Sequence, residues 1–214
     1  MGALGIEELG HPWRVVFDEA WASFRSGNYG IGAALVDPGT GDVVSTGRNR
    51  VTEQQPASRT IGGNFLAHAE MNAFAAMEPF FARGLHLYTT LEPCLMCSAT
   101  AIQLNVEHVH FAAHDEFFDD LDGLWQHHEY TRTRKPGRTG PLDEAIARFA
   151  RLLPMTFTLA ESPESNAAIA ARRDTPELAA VAQRLATAPE LAEVREADSV
   201  SDAYHAIASE LASW

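Results

Sequence analysis

The feature that most limits how this chain folds is a pair of cysteines, Cys94 and Cys97, set behind Pro93 in the run TLEPCLMCSA (90–99). They are the only two cysteines in 214 residues. A disulfide-stapled framework needs more of them at wider spacings, so two thiols this close point to metal or redox chemistry. A second run, AHAEMNAF (67–74), places His68 two residues before Glu70 at the start of a helical pattern. A structural zinc site fills all four positions with protein ligands, whereas a catalytic one keeps the fourth open. Here the thiols are exhausted after two, so the third ligand must be a histidine or a carboxylate. His68 is the candidate, and one position then stays open. Glu70 is not spent on the metal and is free to carry protons.

The charges agree with this assignment. Zn²⁺ with two thiolates and one neutral imidazole has no net charge. Helix N-termini stabilise thiolates through unsatisfied N–H groups and the helix dipole. A redox Cys-x-x-Cys leaves His68, Glu70 and Pro93 unexplained. An inert binding module of the same fold is expected to have lost a ligand or the glutamate, and this chain has lost neither. The arrangement requires two segments some twenty-five residues apart to bring their helix starts together.

Periodicity supplies the elements that do this. Trp13, Phe17, Trp21 and Phe24 form a helical stripe over 12–25. The apolar run 31–36, the turn PGTGD and 43–46 read as a β-hairpin, followed by a polar loop over 50–64. A helix over 67–77, a strand over 85–90, a helix from Pro93 to about 104 and a strand over 106–113 come next. Proline is favoured at a first helical position. Strands on either side of that second helix must be parallel. The order predicts a three-layer α/β/α sandwich with a mixed central sheet. Residues 114–140 read as a long loop with one short helix, and 141–153 as a helix. The segment 155–159 is open between strand and linker. Beyond Ser162 the alanine-rich pattern predicts helices at 164–172, 175–187 and 199–213. The chain thus divides into 10–160 and a helical C-terminal extension, 163–214.

His-x-Glu with Pro-Cys-x-x-Cys is the zinc deaminase pattern. Over 10–155 the chain resembles the cytidine deaminase-like superfamily, and TLEPCLMC with the order of elements resembles its guanine deaminase and tRNA adenosine deaminase branch. The resemblance implies a five-stranded sheet, a homodimer and zinc-assisted hydrolytic deamination of a nucleobase or nucleoside. Guanine-type, aminopurine or triazine rings lead; cytosine, cytidine, adenine and adenosine follow. It implies that Asn49, in GRNRV, hydrogen-bonds the substrate, and that the second aspartate of Phe118-Asp119-Asp120 accepts N–H bonds from a guanine-like ring. Such a carboxylate rejects rings that lack those donors. Ala69, between ligand and proton carrier, and Phe118 join Asn49 and Asp120 as substrate contacts. Phe117, Phe118 and Trp125 either stack on a base or pack in the core. The arginine that tRNA-acting members carry after this strand is absent.

Charge bears on partners. The formal net charge is −13, and the single lysine is Lys135. Binding a phosphate backbone needs a basic face, and the one candidate patch is Arg132, Arg134, Lys135 and Arg138. A small, weakly charged substrate is expected rather than nucleic acid. No apolar run reaches a membrane span and no secretory pattern opens the chain, so the expected location is cytoplasmic.

Overall fold

The hairpin expected over 31–46 is the edge of a five-stranded sheet. Strand β1 (Gly32–Val36) pairs antiparallel with β2 (Val43–Arg48) and, on its other side, with β3 (His86–Thr89). Parallel pairing then adds β4 (His108–Phe111) to β3 and β5 (Gly137–Thr139) to β4, giving the order β2-β1-β3-β4-β5. The computed structural model describes residues 4–54, 56–115, 117–118 and 121–211.

Helices α2 (Ala69–Ala76) and α3 (Leu95–Leu104) cover one face, burying Ala73, Phe74 and Ala101 against Leu35, Leu87 and Val109. Helix α1 (His11–Arg25) covers the other with α6 (Glu144–Glu161), and Phe17, Trp21, Phe149 and Leu153 join that second core. Two glycines set how closely the layers approach. A Cβ on Gly32 would lie 2.1 Å from the Val16 carbonyl oxygen of α1. One on Gly47 would lie 2.2 Å from the Ala73 nitrogen of α2. Only glycine fits such backbone approach, and α2 carries the candidate acid–base residue.

Departures from expectation concentrate after β4. The stretch 114–140 holds two short helices, α4 (Leu121–Trp125) and α5 (Glu129–Arg134), and the fifth strand. Three residues flanked by Pro136 and Gly140 carry no alternation, so β5 leaves no periodic trace; it forms because β4 offers a free parallel edge. The segment 155–159 is neither strand nor linker. Helix α6 runs through it although Pro154 sits inside, a residue with no N–H to return to the preceding turn. Leu159 and Thr156 are buried there, and that tertiary burial outweighs the lost bond. Helix α3 begins at Leu95, with Cys94 in extended backbone as its cap, so Pro93 precedes the helix rather than opening it. Asn105, at φ 58°, ends it in the left-handed conformation that asparagine tolerates.

The C-terminal segment folds into α7 (Asn166–Asp174), α8 (Pro176–Thr187), α9 (Ala192–Glu196) and α10 (Val200–Leu211). Its Leu178, Leu185, Tyr204 and Ile207 belong to the same apolar cluster as Phe17 and Phe149. Trp21 Nε1 donates to the Ala197 carbonyl at 3.2 Å, and the Phe149 and Tyr204 rings meet edge-on at 5.4 Å. No helix among the described residues is long and apolar enough to cross a membrane.

Candidate metal centre and active site

Two helix starts meet at the centre of the molecule. His68 caps α2 and Cys94 caps α3, both in extended backbone. The loop leading to His68 is latched by Asn72, which accepts from the Ile61 N–H at 2.6 Å and donates to the Ile61 and Arg48 carbonyls. Cys94 Sγ, Cys97 Sγ and His68 Nδ1 form a triangle with every side 3.6 Å. Tetrahedral zinc with bonds of about 2.3 Å to sulfur and about 2.0–2.1 Å to nitrogen needs ligand–ligand edges of about 3.6–3.8 Å. The donor set and its spacing therefore fit zinc. No other three His, Cys, Asp or Glu side chains among the described residues bring ligand atoms within 4.8 Å of one another.

The site's electrostatics follow from this crowding. Cys97 beside it and the His68 hydrogen bond pull the Cys94 thiol down to about 4 against burial, which pushes the other way. Cys97 moves well up, because of the Cys94 sulfur, burial and the charge of Glu70. Burial lowers His68, but its Cys94 bond and the charges of Glu70, Cys94 and Asp115 outweigh that and leave it raised. Glu70 is 4% exposed, with Oε2 3.5 Å from Cys97 Sγ. Burial, reinforced by Cys94, pushes its carboxyl up to about 7. An acid–base group works best with a pKa near the working pH.

These residues open into a largely apolar cavity of about 570 Å³. Asn49 lines it and is 2% exposed. Its Oδ1 accepts from the Val51 N–H, while Nδ2 has no partner among the described residues and is left as a donor toward a ligand. Phe117 and Phe118 line the cavity; Trp125 is buried and does not. Ala69 is fully buried, its carbonyl facing Gly47, and is not among the lining residues. Asp120 lies outside the described residues.

Among the lining residues that the sequence reading missed, four carry acidic or basic side chains. Glu92, inside the TLEPC run, is 7% exposed. It accepts from His114 Nδ1 at 2.9 Å, from the Asp115 N–H at 3.3 Å and from Arg138 Nη2. It thereby ties the cysteine loop to the end of β4 and to β5. His114 and Asp115 themselves line the cavity, as does Arg151 of α6. Burial raises the Asp115 carboxyl to about 6, against the Phe117 N–H it accepts. Two adjacent polar, ionisable side chains at the end of an apolar strand were the available signal for His114 and Asp115; Arg151 carries none in sequence.

Three of the four residues of the candidate basic patch have internal partners, while Arg132 is exposed. Arg134 lies over the Tyr130 ring and donates to Asn105, Lys135 pairs with Asp122 at 2.9 Å, and Arg138 is held by Glu92.

Residues 12–113 match the family model described as the cytidine and deoxycytidylate deaminase zinc-binding region. The tRNA-specific adenosine deaminase of Aquifex aeolicus is 33% identical over 107 residues, which is 48% of this chain and 64% of that protein. The Bacillus subtilis protein of the same description is 36% identical over 102 residues, 45% of this chain and 56% of its own length. A tRNA(Ile)-lysidine synthase of Thermus thermophilus is 42% identical over 94 residues, 44% of this chain but only 16% of its own. The chain thus spans less than two thirds of the length of each of these three relatives. In fold it is similar to a guanine deaminase from Nitrosomonas europaea, with a TM-score of 0.50 at 22% identity, over 69% of this chain and 84% of that one.

Proposed function

Since this chain belongs to the cytidine deaminase-like superfamily, we propose that it is a zinc-dependent enzyme that hydrolyses an exocyclic amine from a free nucleobase or nucleoside, with aminopurine and triazine rings preferred. The observation that carries the choice of a small substrate is the wall that α6 and α7 add to the cavity. Pro154, Met155, Thr158, Ala167 and Ala171 line it from beyond the family match, which ends at 113. A ring that fits under that wall is enclosed, whereas a base projecting from a folded RNA must reach past it. The net charge of −13 and the internally paired 134–138 segment point the same way.

His68, Cys94 and Cys97 would hold the zinc, which when bound lowers the pKa of a coordinated water to near neutrality. Glu70 takes a proton from the attacking water and passes it to the ring nitrogen beside the reacting carbon, then takes the second proton from the hydroxyl now on that carbon and gives it to the departing amine. Amine and water thus become ammonia and a ring carbonyl. Asn49 Nδ2 donates to the ring, and Phe118 packs on its face. Asp120 accepts ring N–H groups in this reading. The deaminase unit spans 10–160, and 163–214 contributes the wall.

Exposed Phe65, Leu66 and Leu95 beside the ligands supply apolar surface for a homodimer; sedimentation checks it. Two closely spaced thiols suit a reducing, cytoplasmic location. The relatives from A. aeolicus and B. subtilis favour a second reading, adenosine in tRNA. Ammonia release from a panel of guanine, melamine, cytosine, cytidine, adenine, adenosine and tRNA separates the two. Turnover of tRNA alone overturns the small-substrate reading.

A further inference from the structure

The cavity is larger than the ring it is proposed to take. At about 570 Å³ it falls in the range of about 300–1,000 Å³ that buries a drug-sized ligand, and a bare base is smaller than that class. Helices α6 and α7 line one side of it, so the character of that wall bears on what else the substrate carries. Its polar side chains are engaged or sit at the rim. Thr158 Oγ1 donates to the Pro154 carbonyl at 3.0 Å, Ser165 Oγ accepts from the Ala168 N–H at 3.2 Å, and Arg151 Nη2 reaches Thr175 Oγ1 at 3.4 Å. Ser162 and Asn166 are exposed. A ribose would bring hydroxyls that need partners when buried, and unpaired buried hydroxyls are costly. The largest share of what these helices offer a ligand is carbon: the Pro154 ring, the Met155 side chain and the methyls of Ala167 and Ala171, one helical turn apart.

We infer that the deaminated ring bears an apolar substituent of a few carbons, received by Pro154, Met155, Ala167 and Ala171. This rests on the deamination reading. Methionine suits such a site because its unbranched, polarizable side chain conforms to varied apolar shapes. The two alanines are the chain's means of keeping the space open: larger residues at these positions would project into it.

The test uses two matched pairs, guanine with its N9-propyl derivative and melamine with its N-propyl derivative, and guanosine as the sugar-bearing control. Calorimetric binding to the zinc-loaded full-length protein reads the wall whether or not a ring is turned over, and kcat/KM is measured wherever ammonia appears. Each buried methylene is worth about fourfold in affinity, so at least one propyl derivative binds about tenfold more tightly than its parent ring and more tightly than guanosine. Ala171→Leu collapses that ratio to within about twofold. Met155→Ala, which widens the same wall, moves the preference to a longer chain; it keeps the test open if the leucine variant does not fold. Absence of an alkyl preference in both pairs, tighter binding of guanosine than of either derivative, or a preference that survives Ala171→Leu overturns the inference. Alkyl-dependent binding without ammonia release from any ring leaves the wall assigned and refutes the deamination reading instead.

Discussion

Replacing Glu92 by glutamine tests whether this buried carboxylate holds the active site together. The side chain keeps its volume, but one of its two oxygens becomes an NH₂ group. Glu92 Oε1 faces Arg138, and Oε2 faces His114 Nδ1 and the Asp115 N–H. Whichever way the amide turns, one of these two sets loses its acceptor and meets a donor. A hydrogen bond to a charged group is worth about 1.5–3 kcal/mol. The Arg138 side chain is 18% exposed, so water restores part of its loss, and the expected cost is about 2 kcal/mol. For a chain of this size that lowers Tm by about 4–8 °C. The same bonds hold His114 and Asp115 at the cavity wall, so KM should rise more than kcat falls while zinc content is kept. Thermal and urea unfolding of the zinc-loaded protein, with steady-state kinetics on the best ring, measure both. A stability change within about 0.5 kcal/mol together with an unchanged KM would refute the reasoning.

Cys94→Ala and Cys97→Ala should each lose zinc and lower Tm, since metal binding is coupled to folding; full zinc occupancy in the double variant, by atomic emission, contradicts the ligand assignment. Glu70→Gln should retain zinc and substrate binding while turnover falls by about 10²–10⁴-fold, and turnover within threefold of the parent removes the assigned role. A chain ending near Ala160 loses Leu178, Leu185, Tyr204 and Ile207 from the α1–α6 core, so it should aggregate or bind hydrophobic dye; a monodisperse, cooperatively melting product speaks against the shared core. His110 is held down to about 4, by burial first and then by His108 and His86. Its folded-state pKa lies below the ordinary 6.5, so the unfolded chain binds the extra proton first. Stability should therefore fall as pH drops from about 6.5 toward 4, and His110→Gln should flatten that slope in urea titrations; an unchanged slope argues against the histidine cluster as its source.

The metal site was legible in sequence because coordination chemistry fixes both the residue types and the count. Two thiols, one histidine and an unspent glutamate leave little freedom, and the 3.6 Å triangle is what that chemistry demands. The sandwich was legible in part for a related reason: the apolar stripe of α1 survives in isolation, whereas α2 and α3 are nearly even in apolar character and stand out chiefly through the ligand motifs at their starts. Strand β5 was not, since three residues flanked by proline and glycine acquire their meaning only from the neighbouring β4 edge and from Glu92, forty-six positions before Arg138. The cavity wall is the extreme case. Ala167 and Ala171 read in sequence as ordinary helix formers, the most favourable kind, and nothing local distinguishes an alanine facing solvent from one facing a substrate. Their role is set by α6 continuing through Pro154 to Glu161, which carries the next helix to the mouth of the cavity. Reading 155–159 as strand or linker hid that continuation. The length of α6, rather than any motif, is therefore what brings residues beyond the family match to the site, and what makes the substrate of this chain a question about its C-terminal half.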